Sequence, residues 1–537
     1  MKLRFSSILS SLFVLTPAAV AWGQAAPSKA EAPKADAPKV EGQPAAPSAP
    51  PPKPENPPPP PADGSLVAPI SGPPTFRQEG KAPEAPHTVD GANETYPAGK
   101  FEFGSYGRVR IASDLRGGTG RVTNVAAFGP RTDEESYSEF ELRREDKWKP
   151  NLSTRIVTTL ALFPPFFHFT GKAMQNIALR NLYAQASYGD YTFWVGSRMY
   201  RGDDIYLLNW WPLDNQNTVG GGISVKLPKD TVAAFHVGMQ RLDVPQQTQV
   251  VQDVAPFGFG ATDVLRLDRP RMVETLKLTH YLRNSKGRTL FPGNDKTGFK
   301  VILYGEAHQI AAGVQRDTVT NKDKSLPDDY GFVVGGQLGY WTGVRDGFIH
   351  LFARHARGIA AYDPLASPTT FANDMTTAGA SDTLLATGGN LESEWVGVQW
   401  GAYMRMFRDA SEGSTSRERY DEGSVVVRPN FFFHDHFGLS LEGSYQRRRY
   451  ALADPEAIAG GGGALTAGVT KFGVIPFFSP AGRGSFRRPQ FRLFYLLSLR
   501  DSGARQLYAK EDVFSQREVE HFLGLGVEWW FNTTSYP

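Results

Sequence analysis

Few residues in this chain have the types and spacing for bond-making chemistry. It contains no cysteine, which excludes thiol nucleophiles, cysteine metal sites and disulfides. The histidines are scattered, among them His350, His355, His434 and His436, and no Ser/His/Asp or metal-ligand spacing recurs with supporting residues. His434-Asp435-His436 comes nearest and reads as a turn. The expectation is therefore no enzyme, no cofactor and no metal. Contact chemistry is better represented. Arg201 to Gly222 (RGDDIYLLNWWPLDNQNTVGGG) follows a strand-like segment yet crowds Tyr206, Trp210, Trp211 and several carboxylates together. It is too apolar for a solvated loop. Folded into a water-filled passage, it would narrow that passage, with its rings on the wall and its Asp and Asn groups facing the opening. The alternative is an outward loop buried at a subunit contact.

Such a loop needs a wall around it. From Phe101 onward the sequence runs in short alternating segments separated by Gly, Asp, Asn and Ser, the pattern of half-exposed strands and turns. In Phe101 to Ile111 (FEFGSYGRVRI), Glu102, Gly104, Tyr106, Arg108 and Arg110 share one face, and Phe103, Val109 and Ile111 the other. At the far end Phe522, Gly524, Gly526, Glu528 and Trp530 alternate with Leu523, Leu525, Val527, Trp529 and Phe531, and the second set is expected to face lipid. Tyr191 to Tyr200, Gly298 to His308, Gly347 to Arg354 and Arg488 to Arg500 repeat the pattern. About 435 residues follow the N-terminal leader, room for about 16 to 18 strands of about 10 residues, with short turns alternating with long loops. A barrel that wide encloses water. The expected fold is all-β, a transmembrane antiparallel barrel with an inward-folded constriction loop. Asn321 to Asp329, Asp363 to Asn390 and Asp454 to Lys471 read as long external loops.

The rest of the chain sets the compartment. Met1 to Ala21 has the layout of a secretory signal: basic Lys2 and Arg4, an apolar stretch and Ala19-Val20-Ala21, with cleavage after Ala21 or as late as Ala25. Residues 22–96 are rich in Pro, Ala and Lys, have little to bury and are expected to form a disordered periplasmic leader that acts as a spacer or touches cell wall or a periplasmic protein. The barrel is expected over residues 97–537. Beyond the extreme N-terminus no apolar run approaches the roughly 20 residues of a spanning helix, so a helical membrane bundle is excluded. The net charge of +3 comes from 58 basic and 55 acidic residues, interleaved along the chain, and gives no reason to expect a nucleic-acid partner.

The stretches WVGSRMYRGDD and LLNWWPLDNQ resemble the third strand and the constricting loop of the maltoporin-like family, carbohydrate porins of the outer membrane related to the sucrose porins. FGSYGRVRI, ALRNLYAQ, VVVRPNFFF with LSLEGSYQRRR, SFRRPQFRLF and GLGVEWWF resemble the family in the same order, together covering Phe101 to Phe531. The resemblance implies a homotrimer of eighteen-stranded barrels in outer-membrane lipid, passing maltodextrin-type or other oligosaccharides by passive diffusion. It also implies an aromatic track at Tyr106, Tyr137, Phe486 and Trp530, and the parity of each places it beside charged neighbours on the water face. Pyranose faces would lie on these rings while ionisable groups bond the hydroxyl rim. Arg108, Arg131, Arg180, Asn209, Trp211 and Asp214 would line the constriction. Arg180 shares parity with Leu182 and reaches the lumen only if its strand is kinked or has not yet begun.

The chain also departs from the family. It lacks the disulfide often found in the first external loop. Phe166, Phe167 and Phe169 occupy the region of the tryptophan that reaches a neighbouring subunit, and Asn532 to Pro537 follow the aromatic that usually ends the last strand. A general or acidic-sugar porin, or a barrel mainly anchoring the leader to the cell wall, are the competing readings.

Overall fold

In the computed structural model, the structure describes residues 98–164, 177–254, 261–283, 296–317, 319–320, 322–362, 368, 370–411, 419–453 and 464–534. The signal sequence, the leader and Phe166, Phe167 and Phe169 lie outside these residues. Eighteen antiparallel strands form one sheet that closes on itself, because the last strand, Val519–Phe531, pairs with the first, Ala98–Ser113. Closure sets Tyr106 opposite Trp530 and Arg108 opposite Glu528. It also removes every sheet edge, the condition under which strands can cross lipid without unpaired backbone groups.

The alternation in the sequence becomes two surfaces. Ile111, Val195, Leu303 and Leu525 are well exposed on the outer face, an apolar belt suited to lipid. The alternate residues point inward, where Glu139, Lys300, Asp382, Arg428 and Glu442 are buried. Connections alternate between two rims. One holds tight turns at 150–151, 189–190, 228–230 and 393–395, and at 433–436, which includes His434 and His436. The other holds long loops, including 114–136, 202–214 and 501–518.

Three loop expectations need correction. Ser381–Glu392 is a wall strand, so the long loop after residue 362 ends before Asn390. Ala464–Phe478 is likewise wall, which removes Ala464 to Lys471 from the loop expected there. Lys322–Leu326 pairs with Gly313–Asp317 in a small hairpin, so that loop carries strand structure of its own. In the first two cases polar or small residues suggested a loop, but on an inward-facing wall such residues are what a strand needs.

Two of the long connections fold into the barrel. Residues 202–214 are closed at their base by the Gly202 N–H donating to the Asp214 carbonyl at 2.8 Å, and by a bridge between Ile205 and Trp210. A 3-10 turn at Tyr206–Leu208 ends at Asn209, whose left-handed backbone (φ 48°) an asparagine tolerates well. The wall strand begins at Asn215, so Asn215 to Gly222 belong to it and not to the loop. Ile205 seats in a notch on the far wall: a Cβ on Gly388 or Gly401 would lie 3.0 or 2.6 Å from its Cγ2. Leu208, Trp210 and Leu213 complete the buried contact with Ile302, Phe352, Leu384 and Tyr403.

The second inward loop, residues 114–136, was not foreseen. Its backbone is bonded to the opposite wall: Val125 and Ala126 donate to Gln446 at 3.2 and 3.3 Å, Ala127 to Glu422 at 3.1 Å, and Phe128 to the Tyr403 hydroxyl at 3.1 Å. Lys471 pairs with Asp133 at 2.6 Å. The two loops meet where Phe128 stacks on Trp210, centroids 4.1 Å apart and planes within 10°. After the last strand the chain also turns inward. Thr534 donates its backbone N–H at 3.0–3.1 Å and its hydroxyl at 2.6 Å to the buried Glu141 carboxylate.

Leu303→Arg places a charge at the middle of the outer face of Gly298–Ile310 and should cost about 2–4 kcal/mol of barrel stability. The check is a lower denaturant midpoint and reduced heat-modifiable band in lipid vesicles. Gly401→Val fills the notch under Ile205, an overpacking of about 1–3 kcal/mol, and should dislodge loop 202–214. Single-channel recording should then show a larger conductance from a barrel that still folds.

Candidate functional site

The inward loops bring several aromatics into one line. Tyr106 and Tyr137 lie on the first two wall strands with ring centroids 6.0 Å apart, and Trp211 from the loop packs with them. Trp530 joins this group to a second one, in which Tyr206 meets Trp530 at 6.2 Å and Phe486 at 5.3 Å, and Phe486 meets Phe348 at 6.0 Å. The rings are not all open to water, as parity alone suggested. Tyr106 is fully buried, and Tyr137 and Phe486 nearly so, because the folded-in loops cover them. Among the four track positions Trp530 is the most accessible.

The polar residues fall into three groups. Around the rings, the Tyr106 hydroxyl accepts from Arg131 at 2.6 Å and from Arg108 at 3.0 Å. Glu528 is the hub, with Arg131 at 2.8 Å, Arg488 at 2.9 Å, Arg492 at 2.8 Å and the Tyr206 hydroxyl donating at 2.7 Å. Arg180 does reach the lumen, and the reason is a bulge. Thr159 pairs with Asn181 and Leu160 with Leu179, so Arg180 is the extra residue and the inward parity changes across it. Its guanidinium sits 3.0 Å from Glu139 and 5.4 Å from the Tyr137 ring centre.

The second group anchors the loop. Asp203 meets Lys300 at 2.5 Å and accepts from Gln337. Burial alone would raise its pKa, but Lys300, His350 and Gln337 outweigh burial and hold it below the ordinary carboxylate range. Its neighbour Asp204 is pushed up to about 7 by burial, with Arg131 opposing the rise and the Asp203 charge adding to it. Asp214 pairs with Lys277 at 2.7 Å at the base of the loop, and Asn209 holds the turn at its tip. Those two expected constriction residues thus brace the loop.

The third group carries charge along the wall. Arg354 and Arg405 flank Asp382 at 2.6 and 2.7 Å, and Arg428 meets Glu442 at 2.6 Å. Buried ions of this kind need partners to offset lost hydration, and neighbouring strands supply them.

Sequence reasoning passed over Tyr206 as a track residue, Glu528 as a hub, and the whole of loop 114–136. A signal existed for the last. Thr123 to Pro130 (TNVAAFGP) is as apolar as the stretch that exposed loop 202–214. Arg488 and Glu528 were visible only as members of the inward parity, and their convergence depends on Pro489 to Phe531 folding as a hairpin of wall strands.

Comparison with known proteins adds to this geometry. Among solved structures the chain is similar to OccAB1 of Acinetobacter baumannii (8% identity, TM-score 0.39, covering 81% of this chain and 96% of that one). It is also similar to OpdK of Pseudomonas aeruginosa, solved with vanillate (11%, 0.36, 81% and 98%), and to OmpT of Vibrio cholerae (9%, 0.38, 82% and 99%). No curated protein sequence matches it. The assignment rests on the sequence profile described as LamB porin, which matches residues 101–531. That match runs from the first wall strand to the last, and the chain therefore belongs to the LamB porin family, β-barrel channels of the bacterial outer membrane that pass small solutes.

Proposed function

We propose that the solute is carbohydrate: a selective channel in which oligosaccharides, maltodextrin-type or others, diffuse passively past the ring line. The observation that carries this reading is the run from Tyr137 and Tyr106 through Trp530 to Tyr206 and Phe486, flanked throughout by guanidinium and carboxylate groups. A pyranose offers C–H faces to such rings and hydroxyls to such ions. Because Tyr106, Tyr137, Phe486, Tyr206 and Trp211 are all largely covered, Trp530 takes the direct contact in this proposal. Tyr106 then acts by holding Arg108 and Arg131. Arg180 belongs to the same passage, while Asn209 and Asp214 set the position of the loop. A fold of this family fits a channel without enzymatic activity.

The proposal extends to assembly and export. The working unit is a homotrimer, the first 21 to 25 residues are a cleaved signal, and residues up to 96 form a periplasmic leader in contact with cell wall or a periplasmic protein. An unselective general porin is the second reading, favoured by the many arginines on the lumen face. Saturable block of ion current separates the two.

Trp530→Ala should raise the dissociation constant of a blocking malto-oligosaccharide. A ring contact contributes about 0.5–1.5 kcal/mol beyond area burial, roughly two- to tenfold in affinity. Trp529→Ala, on the outer parity with its indole N–H bonded to Ser105 at 3.0 Å, should lower folding or trimer yield with little change in affinity. Planar-bilayer titrations measure both, and a reversed pair of outcomes contradicts the track. Ion flow without sugar block in the unaltered protein would leave a channel but no sugar path.

A further inference from the structure

Three ion pairs of the lumen share an order from wall to water. Glu139 is 1% exposed, while Arg180, reaching it at 3.0 Å, is 16% exposed. Glu528 is 4% exposed beneath Arg492 at 12%. On the far wall Glu422 is fully covered and its partner Arg448 is 16% exposed. The cause is reach: carboxylates sit on short stems near the backbone, and arginines from adjacent strands arch over them. At these three places the wall shows its cations to the passage and keeps its anions behind. The order is not general: Glu134 is as exposed as Arg108 beside it, and Arg488 and Lys471 are as deeply covered as Glu528 and Asp133.

The ring line is more unbalanced still. Arg131, Arg488 and Arg492 converge on Glu528, and Arg180 and Arg201 lie 3.0 and 4.0 Å from Glu139. With Arg108 and Glu134 added, six guanidiniums face three glutamates, and a charged Asp204 would still leave an excess of two. The same guanidiniums already cover the rings: Arg201 lies 4.0 Å from the Trp211 centroid, Arg488 4.3 Å from that of Trp530 and Arg131 4.5 Å from that of Tyr206. A neutral sugar seeking a ring face must displace a cation from it. A sugar bearing a carboxylate can leave that cation in place and accept a charge-assisted, bidentate pair from it.

Resting on the carbohydrate reading above, we infer that the constriction of this channel selects anionic sugars, of which uronate oligomers are the representative class, over neutral ones. Arg180 and Arg492, which with Arg108 are the more exposed members of the cluster, are the residues that set the preference. The field of the uncovered guanidiniums steers anions toward the ring line, and salt weakens the effect because those groups touch water.

The test uses the full-length protein in planar bilayers. In a KCl gradient the reversal potential should show anion selectivity. An oligogalacturonate should block the current at about tenfold lower concentration than a malto-oligosaccharide of equal length, and raising KCl from 0.1 to 1 M should shrink that ratio at least threefold. Arg180→Gln and Arg492→Gln should each lower it as well. The wild-type comparison stands even where a variant folds poorly. Block by the neutral oligomer that equals or exceeds block by the uronate, or cation selectivity, overturns the anionic preference while leaving the sugar channel in place. Conductance that neither oligomer blocks overturns both.

Discussion

A strand that crosses lipid must pair both of its edges, and from that constraint the rest of this molecule follows. Pairing eighteen strands edge to edge leaves no free edge only if the last returns to the first, so the wall closes and divides space into lipid and water. Each residue of a strand is then committed to one side or the other by parity. Apolar groups such as Leu303 and Leu525 take the outside. Everything polar must be accommodated in the lumen, where its charges need partners.

Closure at this size creates a second requirement, since a lumen enclosed by so many strands is too wide to recognise a small solute by contact. Loops 114–136 and 202–214 both fold in and narrow it, meeting at Tyr403. Each is held in two ways. Apolar residues fit the far wall, as Ile205 does over Gly388 and Gly401, and buried ions fix the register, as Asp203 with Lys300 and Asp133 with Lys471 do. The Phe128–Trp210 stack joins the two loops to each other. The constriction is thus assembled from elements far apart in the sequence, with Glu528 on the last strand bonded to Arg131 from the first inward loop and Tyr206 from the second.

Much of this was legible from the sequence because parity is a local property. The inward faces of Phe101 to Ile111 and of the final strand follow from spacing; the closed barrel drew also on the export signal and the number of strands, and the inward course of the Trp210-Trp211 stretch on its crowded rings and carboxylates. Three things did not. The bulge that turns Arg180 inward depends on one unpaired residue, and simple alternation argues against it. The burial of Tyr106 depends on loops that cover it, which strand parity cannot report. The wall strands at Ser381–Glu392 and Ala464–Phe478 resembled loops because their inward positions are small or polar, Gly388 and Asn390 among them. Expected roles for Asn209 and Asp214 came from matching positions, and the structure places both as supports of the loop.

The account stands or falls on the two loops being fixed parts of the pore and not tethers that swing through it. Hydrogen exchange of the intact protein in lipid or detergent measures this at the backbone. The amides of Val125, Ala126, Ala127 and Phe128, bonded here to Gln446, Glu422 and Tyr403, should exchange as slowly as wall amides in Phe348–Gly358. Exchange of those four amides at the rate of an unstructured peptide, with the wall still protected, would contradict a constriction built from pinned loops.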